Sequence, residues 1–208
     1  MARAEPQMRA PITSRVARSF EGVDPRAFKI VVTGPFAAGK TTLIQTISET
    51  DVLATDRAVS DETSTIKDQT TVAMDFGRIS FGDDLALHLF GTPGQRRFEV
   101  MWEILAEGMA GFILLVNAAE PLAPKDAAHI LNTFRQRSSA PFAVGVTHID
   151  EAGPPPGVIL SSVRMTLGLA PDVPLLACDP RSRDDVKALL LAVLEGIMAS
   201  LSDGSRPR

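Results

Sequence analysis

Residues 34–42 read GPFAAGKTT, which combines small residues with one lysine and two threonine hydroxyls. The apolar run Phe28–Val32 precedes them, and Leu43 and Ile44 follow. Small residues let consecutive backbone N–H groups turn toward one anion, and a helix beginning there directs its positive dipole end at the same anion. The spacing G-x4-G-K-T between a strand and a helix is the Walker A pattern, so this phosphate loop (residues 34–42) predicts nucleotide binding.

Single positions within this loop have distinct expected roles. Lys40 is expected to bridge the β- and γ-phosphates, and Thr41 is expected to bind Mg²⁺ through its hydroxyl. The alternative is a glycine-rich turn that closes an ordinary βα unit. The correct spacing, the preceding strand and the Lys-Thr pair favour nucleotide binding over that alternative.

Two further segments follow apolar runs and carry polar groups of matching chemistry. In the sequence LFGTPGQRRF (residues 89–98), Gly94 can offer its amide to a γ-phosphate, and Gln95 can orient an attacking water. A plain surface turn is the alternative for that segment. In AVGVTHID (residues 143–150), Asp150 follows a strand, where its carboxylate can accept from the guanine N1–H and N2–H₂ groups that adenine lacks.

Strand-like runs alternate with helical patterns and predict an α/β fold with a mainly parallel sheet covered on both faces. The predicted strands are Phe28–Val32, Thr71–Phe81, Leu85–Phe90, Gly111–Val116, Phe142–Val146 and Val173–Ala177. The predicted helices are Lys40–Glu49, Phe98–Glu107, Lys125–Gln136, Val158–Leu167 and Arg183–Ser200. The tight turn Gly82–Asp84 predicts one antiparallel hairpin, and residues 154–157 predict a stiff loop.

Composition narrows the class of protein. The 208 residues carry a net charge of −4, which argues against a nucleic-acid binder because phosphate neutralisation needs a positive surface. The arginine- and proline-containing segment 1–26 predicts a solvated tail in preference to a membrane-binding or partner-binding arm. That segment lacks the apolar region of a secretory signal. Cys178 is the only cysteine, which favours a reducing cytoplasm.

The order of these motifs resembles the Ras superfamily of small GTPases over residues 27–201. Within it, the chain most resembles the prokaryotic MglA-like branch and related GTPases that partner roadblock/LC7 proteins. The resemblance implies a P-loop NTPase (small G-protein) fold, with a six-stranded, mostly parallel sheet, one antiparallel edge hairpin and helices on both faces. It also implies a GTPase domain at 27–201 between a flexible N-terminal extension (1–26) and a flexible C-terminal tail (202–208).

Functional residues are implied by the same resemblance. The implied nucleotide-binding residues are Gly34, Ala37, Ala38, Gly39, Lys40, Thr41, Thr42, Gly94, Thr147, His148, Asp150, Cys178 and Asp179. The implied catalytic residues are Gln95, Lys40, Thr71 and Arg57, and the implied metal ligands are Thr41 and Thr71. The resemblance also implies that residues 51–71 form switch I and that Thr71 closes it on Mg²⁺, with Thr70 as the adjacent alternative. Arg57 is the first candidate for an intrinsic arginine finger, before Arg96 and Arg97, although each is more typical of an exposed solubilising charge.

Several positions depart from the family pattern. Gly91 stands where the Walker B aspartate is expected, and Asp75 and Asp68 are the nearest replacements, although each is more typical of a solvated residue. Phe36 replaces a loop glycine and predicts slow or assisted hydrolysis. Thr147 replaces the asparagine that ties the base loop to the phosphate loop, so the sequence predicts that this tie is lost. In the Cys178-Asp179-Pro180 segment, the Asp179 amide is the implied contact for guanine O6.

Three functions remain open from the sequence. The first is a GTP/GDP conformational switch that uses Mg²⁺ and hydrolyses GTP slowly, with stimulation by a roadblock/LC7-type regulator. The second is a GTP-binding scaffold with little or no hydrolysis. The third is a P-loop ATP-dependent kinase or ATPase, which the absence of an Arg-rich lid and the ending Thr-His-Ile-Asp disfavour.

Overall fold

A computed structural model of the chain describes residues 26–49, 74–81 and 85–202. The strands are β1 (Arg26–Thr33), β2 (Asp75–Phe81), β3 (Leu85–Gly91), β4 (Gly111–Asn117), β5 (Phe142–Thr147) and β6 (Leu175–Ala177). The helices are α1 (Lys40–Ile47), α2 (Glu99–Ala106), α3 (Ala123–Arg137), α4 (Pro156–Leu167) and α5 (Arg183–Ser202). The predicted turn at 82–84 lies outside the described residues, as do the termini at 1–25 and 203–208.

The six strands form one sheet in the order β2-β3-β1-β4-β5-β6. Every neighbouring pair is parallel except β2 and β3, which are antiparallel. This arrangement confirms the α/β fold, the mostly parallel sheet and the antiparallel edge pair. Because β1 lies between β3 and β4, the loop after it is flanked by the ends of these two strands. Helix-flanked parallel sheets bind ligands at this carboxyl edge.

The central strands are covered on both faces of the sheet, and most of their residues are apolar. Ile30 and Val32 face a core shared with α1 and α5, while Val31 faces a core shared with α2, α3 and α4. All seven residues of β4 are buried. This double burial matches the continuous apolar runs of the sequence and holds the strand ends rigid beneath the loops.

The helix and strand boundaries differ from the sequence predictions by a few residues. Helix α4 begins at Pro156 rather than Val158, because a proline fits the first turn of a helix, where its missing N–H has no partner to lose. Helix α3 begins at Ala123 rather than Lys125, and β6 begins at Leu175 rather than Val173. Among the helices of the described residues, none is both long enough and apolar enough to cross a membrane.

Candidate nucleotide site

The phosphate loop leaves β1 in a conformation that only a glycine can begin. Gly34 has a φ of 143°, and a Cβ atom there would lie 2.2 Å from the backbone oxygen of Leu115 in β4. Ala37 and Gly39 also have positive φ values, 57° and 90°, so the chain winds back on itself before α1 begins at Lys40. Small side chains at these positions leave the backbone facing the cavity, as phosphate binding requires.

The side chain of Lys40 is hydrogen-bonded to the first residues of the phosphate loop. Its Nζ donates to the backbone oxygens of Gly34 at 2.9 Å and Pro35 at 2.6 Å, and the residue is 8% exposed. Burial lowers the pKa of Lys40 to about 8, and the nearby Asp75 carboxylate opposes this shift. The ammonium is therefore mostly protonated at neutral pH and can meet an anion in the loop.

The base loop (residues 147–150) is fastened to the phosphate loop by side chains. The hydroxyl of Thr147, which is fully buried, donates to the backbone oxygen of Ala38 at 3.2 Å. Asn117, at the end of β4, donates from Nδ2 to the oxygen of Ala37 at 3.2 Å. The prediction that threonine at 147 abolishes this tie is therefore wrong, because a hydroxyl on the end of β5 reaches the same loop.

A single open cavity of about 800 Å³ joins the two loops, and we call it the main cavity. Eleven of the predicted nucleotide-binding residues line it: Ala37, Ala38, Gly39, Lys40, Thr41, Thr42, Gly94, His148, Asp150, Cys178 and Asp179. Gly34 and Thr147 are buried behind this surface, where each positions the phosphate loop. A volume of this size suits a small-molecule ligand.

The predicted catalytic residues are covered by the structure only in part. Gln95 is exposed and follows Gly94, but it is not among the described residues that line the main cavity. Arg96 forms an ion pair with Asp126 of α3, Nη2 to Oδ1 at 2.8 Å, and it does not line the main cavity. Thr70, Thr71, Arg57 and Asp68 lie outside the described residues. Of the two predicted catalytic residues that the structure describes, Lys40 lines the main cavity and Gln95 does not.

The segment Thr92–Gly94 also lines the main cavity. The Thr92 hydroxyl donates to that of Thr33 at 2.9 Å, and the indole Nε1 of Trp102 donates to the Pro93 oxygen at 2.7 Å. A Cβ atom on Gly94 would lie 2.5 Å from the backbone nitrogen of Phe36, so this segment and the phosphate loop are in close backbone contact. The ring of Phe36 is 72% exposed beside this contact.

The part of the main cavity lined by residues 148–151, 179–181 and 185, which we call its acidic end, carries acidic groups and one arginine. Asp150 is exposed on the short 3-10 turn Ile149–Glu151, which begins after His148 at a φ of 56°. Arg181 donates two side-chain hydrogen bonds to Asp179, Nε to Oδ1 at 2.9 Å and Nη2 to Oδ2 at 3.0 Å. These bonds hold the pKa of the Asp179 carboxyl below its ordinary value.

The Asp179 amide, predicted to contact a guanine oxygen, already has a partner. It donates to Oδ2 of Asp185 at 2.9 Å, and Asp185 also lines the main cavity. A base that used this amide would have to displace the carboxylate. Sequence reasoning missed Asp185, although its position three residues after Ser182 is a helix-start signature, and the Ser182 hydroxyl does donate to Asp185 Oδ1 at 3.0 Å.

Asp75 is a cavity residue that the sequence placed among solvated positions. The hydroxyl of Thr41 donates to Asp75 Oδ2 at 2.6 Å, and both residues line the main cavity. Because Asp75 begins β2 and Thr41 lies in the first turn of α1, only the folded sheet brings them together. The sequence predicted the hairpin but not its register, which sets Asp75 opposite Gly91.

Comparison with known proteins shows to which family the sequence is similar. Residues 50–154, just over half of the chain, match the model of the family described as "Conserved hypothetical ATP binding protein". The chain belongs to this family. The matched residues begin after the phosphate loop, before β2, and extend beyond the base loop. Family and fold together indicate a nucleotide-binding, P-loop-like protein.

Two curated relatives extend the comparison. The chain is 33% identical over 98 residues to the uncharacterized protein MJ1339 of Methanocaldococcus jannaschii, covering 47% of this chain and 56% of that protein. It is 29% identical over 126 residues to the mitochondrial translation factor GUF1 of Phaeosphaeria nodorum, covering 61% of this chain and 19% of that protein. The chain thus spans little more than half of the first relative and about a fifth of the second.

Proposed function

We propose that this protein is a small GTP-binding protein that acts as a GTP/GDP conformational switch and hydrolyses GTP slowly. The observation that carries the proposal is the continuity of the main cavity, which joins Lys40 and Thr41 at one end to Asp150 at the other. A phosphate chain on the loop would leave the base at the acidic end. There the Asp150 carboxylate can accept two N–H groups from guanine.

In this proposal, the chain's own groups divide the work of binding and hydrolysis. Lys40 neutralises charge on the β- and γ-phosphates, while the backbone amides of the loop hold their oxygens. Gln95 orients the attacking water once the segment after Gly94 closes on the γ-phosphate. Because Gln95 is exposed outside the cavity lining, this closure must precede hydrolysis, and the intrinsic rate is low.

Mg²⁺ is the cofactor proposed to accompany the nucleotide. The Thr41 hydroxyl and the Asp75 carboxylate provide the hard oxygen ligands that this cation prefers. When bound, Mg²⁺ would neutralise phosphate charge during hydrolysis. Thr71 is proposed as a further ligand from switch I.

A regulator of the roadblock/LC7 type is proposed to stimulate the switch. The exposed side chains Val100 and Ile104 lie on α2, directly after the segment that carries Gln95. A partner that held this helix could fix Gln95 over the phosphates. The proposed location is the cytoplasm, where the single cysteine stays reduced.

Two other functions have specific support. The exposed Gln95 and the exposed ring of Phe36 favour a GTP-dependent scaffold that hardly hydrolyses its nucleotide. The description of the matching family favours an ATP-binding protein, and the engaged Asp179 amide removes one donor that a guanine would use.

Isothermal titration of nucleotide-free protein with GTP, GDP and ATP, each with and without Mg²⁺, tests the proposal first. Preferential guanine binding, strengthened by Mg²⁺, is the expected result. Stronger binding of ATP would overturn the GTP assignment and favour the ATPase or kinase alternative.

Single-turnover hydrolysis with Gln95→Leu then distinguishes the switch from the scaffold. The switch requires slower turnover with nearly unchanged GTP affinity, whereas a scaffold gives negligible turnover in wild type and variant alike.

A further inference from the structure

Asp75 and Gly91 face each other across the antiparallel edge of the sheet. Asp75 is the first residue of β2 and Gly91 the last of β3, and the strand register pairs them directly. Directly opposed residues in an antiparallel pair project to the same side of the sheet. The two positions therefore share one corner of the sheet, and Asp75 lines the main cavity there.

The Asp75 carboxylate occupies that corner. Its Oδ2 accepts the hydrogen bond from Thr41 Oγ1 at 2.6 Å. Asp75 also interacts electrostatically with the buried ammonium of Lys40. A negative charge thus lies beside the hydroxyl and the lysine that the Walker A pattern assigns to a nucleotide's phosphates and metal ion.

Gly91 leaves room for this carboxylate. A Cβ atom on Gly91 would lie 3.0 Å from Asp75 Cβ, 3.1 Å from Asp75 Oδ2 and 3.0 Å from Ile44 Cδ1. These distances are tighter than ordinary contacts. The corner therefore accommodates a side chain from β2 or one from β3, but not both without displacement.

We infer that Asp75 replaces the Walker B aspartate, so that the metal-holding carboxylate has moved from β3 to β2 and holds, with Thr41, the divalent cation that accompanies a bound nucleotide. This inference rests on the proposed nucleotide binding but not on the choice of base. The donors suit the cation, because Mg²⁺ in nucleotide sites takes one or two carboxylates together with phosphate oxygens.

The test compares cation dependence in wild type and Asp75→Asn. GTP and ATP are each titrated into nucleotide-free protein in EDTA and in Mg²⁺, and Mn²⁺ binding to the protein–nucleotide complex is followed by electron paramagnetic resonance. We expect Asp75→Asn to bind nucleotide in EDTA at least as tightly as wild type. The enhancement by Mg²⁺ should fall by about tenfold or more, with a matching loss of Mn²⁺ affinity.

Glu49→Gln is the matched control. Glu49 Oε2 accepts the backbone N–H of Ser80 in β2 at 2.9 Å, so this variant also removes a carboxylate that contacts β2. Glu49 is absent from the described lining of the main cavity. We expect its Mg²⁺ enhancement and Mn²⁺ affinity to equal those of wild type.

Moving the carboxylate back provides a second test. Gly91→Asp alone should crowd Asp75 and lower stability, whereas the double variant Asp75→Gly/Gly91→Asp should regain most of the Mg²⁺ enhancement lost in Asp75→Asn. A double variant that folds and binds nucleotide but gains no enhancement would contradict the exchange.

The failures of the two proposals are distinct. If wild type binds nucleotide and Asp75→Asn keeps the full Mg²⁺ enhancement, this inference is overturned while nucleotide binding stands. If wild type binds neither GTP nor ATP in EDTA or in Mg²⁺, the proposed function is overturned, and the inference with it.

Discussion

Single side chains at the acidic end of the main cavity would determine which base it accepts. Asp150 is exposed and lines the main cavity, so its carboxylate is accessible to a ligand. The Asp179 amide differs, because it already donates to Asp185. The first discrimination between bases is therefore expected from Asp150.

Replacement of Asp150 by asparagine tests this expectation. An amide cannot accept both N–H groups of guanine as a carboxylate can, so we expect Asp150→Asn to weaken GTP and GDP binding by about 10- to 100-fold, as for the loss of a charged hydrogen bond. ATP affinity should change little. The affinities can be measured by calorimetric titration. Equal GTP affinity in wild type and variant would show that this loop does not read the base.

Cys178 supplies a prediction about pH. Burial, reinforced by the carboxylates of Asp185 and Asp179, raises the pKa of its thiol from 9.0 to about 12. Above about pH 9 the unfolded chain loses this proton while the folded protein keeps it, so folding stability falls as pH rises. We expect a loss of about 1 kcal/mol between about pH 8 and about pH 10, measured by urea denaturation. In Cys178→Ala this part of the slope should disappear, and an unchanged slope would exclude the thiol as its source.

Connections between strand ends and the phosphate loop determine whether the loop is formed before a ligand arrives. Thr147 at the end of β5 and Asn117 at the end of β4 each donate to a loop carbonyl. Lys40 fastens the beginning of the same loop. The loop thus has side-chain support from three separate elements, which favours preorganised binding.

Thr147→Val removes one of these supports while keeping the shape of the side chain. Because the carbonyl of Ala38 loses a buried donor, we expect the free energy of unfolding to fall by about 1 to 3 kcal/mol. Nucleotide affinity should fall as well. Both are measurable, by chemical denaturation and by titration. As the control, Thr46→Val removes a hydroxyl bonded to Pro180 rather than to the phosphate loop, and it should affect affinity less.

Local sequence patterns were sufficient to predict most of the fold and the phosphate loop. The phosphate loop could be read because its glycines, Lys40 and Thr41 are contiguous, and the strands because their apolar runs are long. The Thr41–Asp75 contact could not, because it depends on the register of β2 against β3 and on how α1 packs over both. The Asp185–Asp179 bond was missed for a related reason, since a side chain turning back to an amide leaves no periodic signal.

At the scale of the whole molecule, segments that follow four different strands line the main cavity. Its wall includes residues after β1, β3, β5 and β6, so one ligand would bridge distant parts of the chain. Binding to the folded state alone stabilises it by mass action. A bound nucleotide should therefore raise the unfolding temperature of the entire domain rather than that of one segment.

Scanning calorimetry tests this expectation. At free GTP about 100 times its dissociation constant, we expect a gain of about 2.7 kcal/mol in stability, seen as an upward shift of one cooperative transition. Lys40→Ala should lose the shift at the same GTP concentration because its phosphate contact is absent. A shift of equal size in that variant would place the ligand outside the main cavity.

Trp102 gives the protein a built-in optical reporter. The chain contains one tryptophan and no tyrosine, so its intrinsic fluorescence at long excitation wavelengths originates from a single indole. That indole is fully buried and donates to Pro93, whose neighbour Gly94 lies against the phosphate loop. Any ligand that displaces the Pro93 carbonyl changes the polarity around the fluorophore. Emission from the unlabelled protein can therefore follow, in real time, whether this wall moves when a nucleotide arrives.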